Sequence, residues 1–174
     1  VITSKINWAS ILEEIKNTTG EVRSLNKNFY QNANGEFNEI LNLWLDAGYD
    51  SNKVEWINFY PEKHFSKNIE TEFSNEIQVQ PIRSWISCVR PGKSAPWHKD
   101  VDDNLESYIK LGNLVRYTCF IDKPNFGQVV MIEKDCYYMV EQGKIVKWPY
   151  YMLWHGASNC GFENHYLYHF LGYT

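Results

Sequence analysis

Apolar positions along the chain follow two periods. Up to about residue 77 they recur at helical spacing. Trp8, Ile11, Leu12 and Ile15 form one amphipathic run, with Ser4 placed to cap its start. Phe37, Ile40, Leu41, Leu43, Trp44 and Leu45 form a second, which stops at Ala47-Gly48. An Asn-rich polar stretch from Asn26 to Glu36 separates the two, and Lys53 to Asn75 fits neither helix nor strand cleanly. From about Gln78 the period shortens. Ile82 to Arg90 alternates and ends at Pro91-Gly92. Strand-like runs follow at Leu114–Ile121, Gln128–Glu133, Cys136–Val140, Ile145–Leu153 and His165–Leu171, with Pro124-Asn125, Gly127, Gln142-Gly143, Gly156 and Gly161 between them. Helices followed by evenly spaced short strands predict a mainly β fold with N-terminal helices, a sandwich or barrel. No repeat, low-complexity tract or linker divides the chain. One domain is therefore expected over residues 1–174, with a helical support region at about 1–77 and a sheet core at about 78–174. The stripes of Ile11, Leu12, Ile15, Leu41, Trp44 and Leu45 cannot stay exposed and are predicted to pack on the outer face of the larger sheet.

Composition sharpens this picture at a few points. Aromatic residues make up 16% of the 174 residues, enough for a large core, and 44% hydrophobic content excludes a disordered chain. No apolar stretch approaches the roughly 20 residues of a membrane span. Lys5, Glu13, Glu14 and Lys16 interrupt the first apolar run, so it is not read as a signal peptide. A formal net charge of −4 argues against a global basic surface for nucleic acid. The four cysteines, Cys88, Cys119, Cys136 and Cys160, form no CxxC pair and are read as reduced thiols of a cytoplasmic protein.

The sharpest chemical feature is Trp97-His98-Lys99-Asp100. In an extended segment, residues two apart project from one face, so His98 and Asp100 can grip one metal ion together. A third ligand completes a 2-His-1-carboxylate face, the set that leaves positions open on non-heme Fe(II). His155 is the best candidate, since it follows the apolar run Trp148 to Trp154 and precedes Gly156-Ala157-Ser158-Asn159. Asp102 and Asp103 remain alternatives to Asp100 if the segment is not extended. His165 and His169 are four apart and share a strand face. For His169 packing is preferred, and His64 is given a surface or interface role. Val101 to Asn113, acidic at its start, is long enough to act as a lid or substrate-contact loop.

These residues sit in an ordered series. It runs from Ser87-Cys88-Val89-Arg90-Pro91-Gly92 through His98-Lys99-Asp100 and Arg116-Tyr117-Thr118-Cys119-Phe120-Ile121 with Pro124. It closes with Glu141-Gln142-Gly143-Lys144 and His155-Gly156-Ala157-Ser158-Asn159. Over about residues 82–173 this series resembles the Fe(II)- and 2-oxoglutarate-dependent oxygenases, most closely the aspartyl/asparaginyl β-hydroxylase branch. The resemblance implies a double-stranded β-helix, of the jelly-roll or cupin-like kind, with helices packed on its major sheet. It implies Fe(II) held by His98, Asp100 and His155, and 2-oxoglutarate as cosubstrate, oxidised by O2 to succinate and carbon dioxide while the second oxygen atom hydroxylates a C–H bond.

For the cosubstrate, the resemblance points to Arg116 and Ser87. His165 stands where many relatives carry Arg or Lys, ten residues after the last metal histidine. The structural alternative for Arg116 is a surface charge on an edge strand. If Arg116 faces inward with Thr118, its buried charge needs a carboxylate. Asp122 and Glu133 are the acids near it in sequence, and a dicarboxylate cosubstrate would satisfy it, with Ser87 and His165 adding hydrogen bonds. The expected substrate is a small amino-acid-like molecule or a peptide or protein side chain. The competing readings are a cupin-like metalloprotein that does not use 2-oxoglutarate, and a non-catalytic jelly-roll binding module.

Overall fold

The computed structural model describes residues 2–25, 35–100, 104–149 and 152–174. In chain order the elements are β1 (Ile2–Thr3), α1 (Trp8–Lys16), β2 (Glu21–Ser24), α2 (Gly35–Asp46), β3 (Glu55–Phe59) and α3 (Asn68–Ile77). They continue with β4 (Gln80–Val89), β5 (Ser94–His98), α4 (Leu105–Ile109), β6 (Leu114–Phe120), β7 (Gln128–Ile132) and β8 (Asp135–Tyr138). The last are β9 (Lys144–Lys147), β10 (His155–Asn159) and β11 (His165–Tyr173). Among these, α3 and β3 resolve the stretch whose period was ambiguous. The Gln128, Cys136 and Ile145 runs keep their places but end earlier than the apolar pattern suggested.

A seven-stranded sheet, ordered β1-β9-β6-β11-β4-β3-β2, faces a four-stranded sheet ordered β5-β10-β7-β8, and all named pairings are antiparallel. From β4 onward the chain passes back and forth between sheets, with one hairpin, β7–β8, kept within the smaller: β4, β6, β9 and β11 lie in the larger, and β5, β7, β8 and β10 in the smaller. That order is a double-stranded β-helix, extended at one edge by β1 and at the other by β3 and β2. The crossing from β4 to β5 uses the predicted Pro91-Gly92 turn. Gly92 holds φ 75°, where an L side chain is strained, and Lys93 N–H donates to the Arg90 carbonyl at 3.1 Å.

One core lies on the outer face of the larger sheet. Trp8, Ile11 and Ile15 of α1 and Ile69 and Phe73 of α3 pack there with Ile86, Tyr168 and Phe170. The Trp8 and Phe73 rings lie 5.1 and 4.9 Å from that of Tyr168. Helix α1 begins later than expected. Asn7 is its cap, accepting from Ser10 N–H at 3.3 Å, while the Ser4 hydroxyl donates to Glu76 at 2.7 Å.

Helix α2 departs from the prediction. Its Ile40 and Trp44 are buried against Val54, Trp56, Val89 and Ala95, beside the inter-sheet space, and not on the outer face. Leu43 and Leu45 are exposed. Ile40 and Trp44 are four apart and stack on one side of the helix, which turns Leu45 away. No described helix is long and apolar enough to cross a membrane.

Candidate metal centre

The space between the two sheets is not filled by the core. Side chains from both inner faces leave a cavity of about 260 Å³. His98 is the last residue of β5 and His155 the first of β10, and the antiparallel register sets them directly opposite each other. Fifty-seven residues apart in sequence, their rings come to 4.3 Å between centroids. The register between β10 and β5 shifts between His155 and Ala157, and Gly156 fits that irregularity. A Cβ at Gly156 would meet the Ala95 carbonyl oxygen at 3.1 Å, tighter than ordinary contact. Among the described residues, Trp148 and Pro149 follow β9 without extending it, and β10 begins at the histidine itself.

Asp100 stands two residues past the end of β5. Its carboxylate turns back to lie 3.6 Å from His98 Nε2 and 3.8 Å from His155 Nε2. One ligand atom from each of the three side chains lies within 4.8 Å of the others, so together they could hold one metal ion. Each imidazole is oriented in the same way. His98 Nδ1 lies 2.6 Å from the Pro96 carbonyl oxygen, and His155 Nδ1 3.0 Å from that of Leu153. A carbonyl only accepts, so the proton sits on Nδ1 and the Nε2 lone pair points at the shared space, the tautomer a metal requires. Burial, with the neighbouring Arg116 charge, holds His155 well below the usual imidazole range despite Asp100. Burial alone would raise the Asp100 carboxyl. Arg116 and the two histidines outweigh it and keep the group ionised, well below the usual carboxylate range. Two imidazoles and one carboxylate suit a first-row divalent metal and leave open coordination positions. Asp102 and Asp103 lie outside the described residues, as does the first part of the Val101–Asn113 segment; its later part contains α4.

Arg116 is turned inward and is only 4% exposed, so it is not an edge-strand surface charge. Its Nη1 donates to Asp100 Oδ2, and its guanidinium lies over Trp148, 3.8 Å from the ring centroid, and Trp85, at 5.2 Å. Asp100, sixteen residues earlier, thus supplies a carboxylate that sequence neighbours did not suggest. Asp122 and Glu133 are engaged elsewhere, with His165 and with Trp154 N–H. Ser87 also lines the cavity, and its hydroxyl pairs with His169 Nε2 at 2.9 Å.

His165 requires a correction. It does not line the cavity. Its Nδ1 lies 3.0 Å from Asp122 Oδ2, in a separate small pocket with Phe120, Gln128 and Tyr137. The cavity histidine of β11 is His169, four residues and roughly 13 Å further along the strand. Buried between Ser87 and Thr118, whose hydroxyl lies 3.2 Å from Nδ1, His169 stacks on Trp85 with centroids 5.1 Å apart. Burial and then the Arg116 charge push it down to about 3, so it is neutral. The sequence marked His165 and His169 as one face but assigned the cavity role to the wrong member. Trp56, Trp85 and Trp148 also line the cavity.

No known protein-family model and no curated protein matches the chain. Solved structures align with it at low identity. A predicted oxalate decarboxylase from Thermotoga maritima is 12% identical over 69% of this chain and 82% of that one, with TM-score 0.42. The Cnp3 cupin domain from Schizosaccharomyces pombe is 10% identical over 69% of this chain and 61% of that one, with TM-score 0.39. A cupin 2 conserved barrel domain protein from Rhodopseudomonas palustris is 12% identical over the same shares, 69% and 61%, also with TM-score 0.39. Likeness at this level carries no argument about activity. The fold rests on the strand order, a jelly-roll barrel with a His-Asp-His cluster in its cavity.

Proposed function

We propose that the protein is an Fe(II)- and 2-oxoglutarate-dependent oxygenase that hydroxylates a C–H bond of a small amino-acid-like molecule or a side chain. One observation carries the reading: His98 and His155, with Nε2 lone pairs converging beside the Asp100 carboxylate, open on the same cavity as the inward Arg116. His98, Asp100 and His155 would hold the metal. When bound, the metal and the 2-oxoacid would together activate O2 for the oxidation, chemistry that side chains alone cannot perform. The chain's own residues bind, orient and shelter. Arg116 offers its planar fork to the far carboxylate of 2-oxoglutarate; five N–H donors can serve Asp100 and a second carboxylate at once. Ser87 adds a hydroxyl, kept in place by neutral His169. Trp85 and Trp148 cover the guanidinium and keep water from it.

A second reading has its own support. Arg116 already has a protein carboxylate, and His165 is tied to Asp122 away from the cavity, which suits a cupin-like metalloprotein that does not use 2-oxoglutarate. Anaerobic titration separates the two. Under the first reading, Fe(II) binds one equivalent per chain, and adding 2-oxoglutarate produces a visible charge-transfer absorption and, with oxygen, succinate. Tight Fe(II) binding with no spectral response to 2-oxoglutarate selects the second. Failure to bind any divalent metal ion sinks both.

A further inference from the structure

Four hydrogen-bonded side chains run across the inner face of the larger sheet, from the residue after β9 through β6 and β11 to β4. The Trp148 indole Nε1 donates to Thr118 Oγ1 at 3.0 Å. Thr118 Oγ1 lies 3.2 Å from His169 Nδ1, and His169 Nε2 lies 2.9 Å from Ser87 Oγ. All four residues border the cavity, yet Thr118 is fully buried and the others are at most 8% exposed. The strand register assembles the row. Thr118 is directly opposite His169 in the β6–β11 pairing, and Ser87, opposite Leu167, is a diagonal neighbour of His169.

One arrangement of protons satisfies this row. His169 is neutral, so one ring nitrogen donates and the other accepts. An indole N–H only donates, so Trp148 cannot take the Thr118 proton. Among the described residues, the Thr118 hydroxyl has no partner beyond Trp148 and His169. If His169 carried its proton on Nδ1, Thr118 would accept from both neighbours and its own proton would have no acceptor. That is costly at a position water does not reach. Thr118 therefore donates to Nδ1, and the imidazole proton sits on Nε2, where it is donated to Ser87 Oγ. Among the described residues, the Ser87 hydroxyl pairs with His169 alone. Having accepted there, it keeps its own proton for the cavity. The opposite tautomer would spend that proton on Nε2.

We propose that Thr118, held by Trp148, is a positioning residue: through His169 it makes Ser87 a one-way donor, so the ligand group seated at Ser87 is a hydrogen-bond acceptor, a carboxylate oxygen. An ammonium or N–H there would set two donors against each other. Taking that ligand as the 2-oxoacid rests on the oxygenase reading; the direction of the hydrogen bonds does not. Two measurements on the full chain loaded with Zn(II) test the proposal. Nitrogen-15 NMR of the histidine rings reads the tautomer, with His169 assigned from the signal lost in His169→Gln. The proton is expected on Nε2, and a proton on Nδ1 overturns the proposal. Calorimetric titration with N-oxalylglycine, an unreactive 2-oxoglutarate analogue, reads the donor. Ser87→Ala should weaken its binding at least tenfold and Thr118→Val at least threefold. Thr118→Ser, which keeps the hydroxyl, should stay within twofold of the parent, and Zn(II) affinity should hold in every variant. In the Ser87→Ala background, Thr118→Val should change binding less than twofold, because its effect passes through the missing hydroxyl. A threefold loss that persists there marks a merely structural role and overturns the proposal, as does unchanged binding in Ser87→Ala. If Thr118→Val does not fold, the tautomer and Ser87→Ala decide. If N-oxalylglycine does not bind, the oxygenase reading fails and oxalate becomes the probe. Tenfold weaker oxalate binding in Ser87→Ala then upholds the donor, and absent or unchanged binding overturns it.

Discussion

Among its described residues the barrel contains two carboxylate–histidine groupings, built from the same residue types and opposite in design. At one end, Asp100 meets His98, His155 and Arg116 beside an open cavity. At the other, Asp122 takes one imidazole nitrogen of His165 and also accepts Tyr166 N–H at 2.9 Å. The difference lies in what the carboxylate leaves over. At the first, backbone carbonyls occupy both Nδ1 atoms, so the carboxylate and both Nε2 atoms aim at shared space. At the second, the carboxylate itself takes Nδ1 and is spent on one strand. His–Asp proximity alone does not make a ligand site; the nitrogen that is already hydrogen-bonded decides.

The largest effect expected concerns the metal. His98→Ala or His155→Ala should weaken Fe(II) or Zn(II) binding at least a hundredfold, about 2.7 kcal/mol. His165→Ala should leave metal stoichiometry unchanged, as read by competition with a chromophoric chelator. Metal retained in His98→Ala, or lost in His165→Ala, would reverse the roles of the two ends.

Next is stability at the far end. Asp122→Ala removes the acceptor for His165 and Tyr166 N–H and should cost about 2 kcal/mol of unfolding free energy. Denaturant melts read this loss, and metal affinity should stay within twofold. A large fall in metal affinity with unchanged stability would mean that the two groupings are coupled.

Arg116→Ala should raise the 2-oxoglutarate concentration for half-maximal binding at least tenfold, about 1.4 kcal/mol. Metal affinity should shift far less than in His98→Ala. Unchanged 2-oxoglutarate dependence would confine Arg116 to holding Asp100.

The smallest effect is on pH. His169 is neutral when folded, with its value pushed to about 3 by burial, against about 6.5 unfolded. Between these values the unfolded chain binds the extra proton, so stability falls as pH drops below 6.5. The loss from this group is about 1 kcal/mol between pH 6.5 and 5.5. Metal-free protein should show it in denaturant midpoints. His169→Gln, which keeps partners for Ser87 and Thr118, should flatten the slope by that amount; an unchanged slope would show that His169 is not the buried neutral base at this end of β11.

Much of the candidate site was legible in the residues because the side chains that could hold a metal are local to strand ends. The His98-x-Asp100 spacing, the Pro91-Gly92 turn before it and the Gly156 after His155 are short-range signals, and each is bound to a backbone feature seen in the structure. The strand alternation likewise places Arg116 and Thr118 on one face, since side chains on a pleated strand repeat every two residues. The same local rules placed the apolar stripe of α1 but misjudged where α2 packs, because periodicity states which side of a helix is apolar and not what covers it.

Only the tertiary structure decided how far along each inward face the cavity extends. His165 and His169 obey one alternation, and both are buried. One falls where the sheets separate around the cavity, and the other where Phe120, Tyr137 and Asp122 close in. The partner of Arg116 was undecidable for the same reason. Asp100 comes from a loop beyond β5 in the other sheet, and its meeting with β6 is a contact across the barrel. Sequence fixes faces through the two-residue period. Depth between two sheets depends on how they pack, and that is a property of the whole fold.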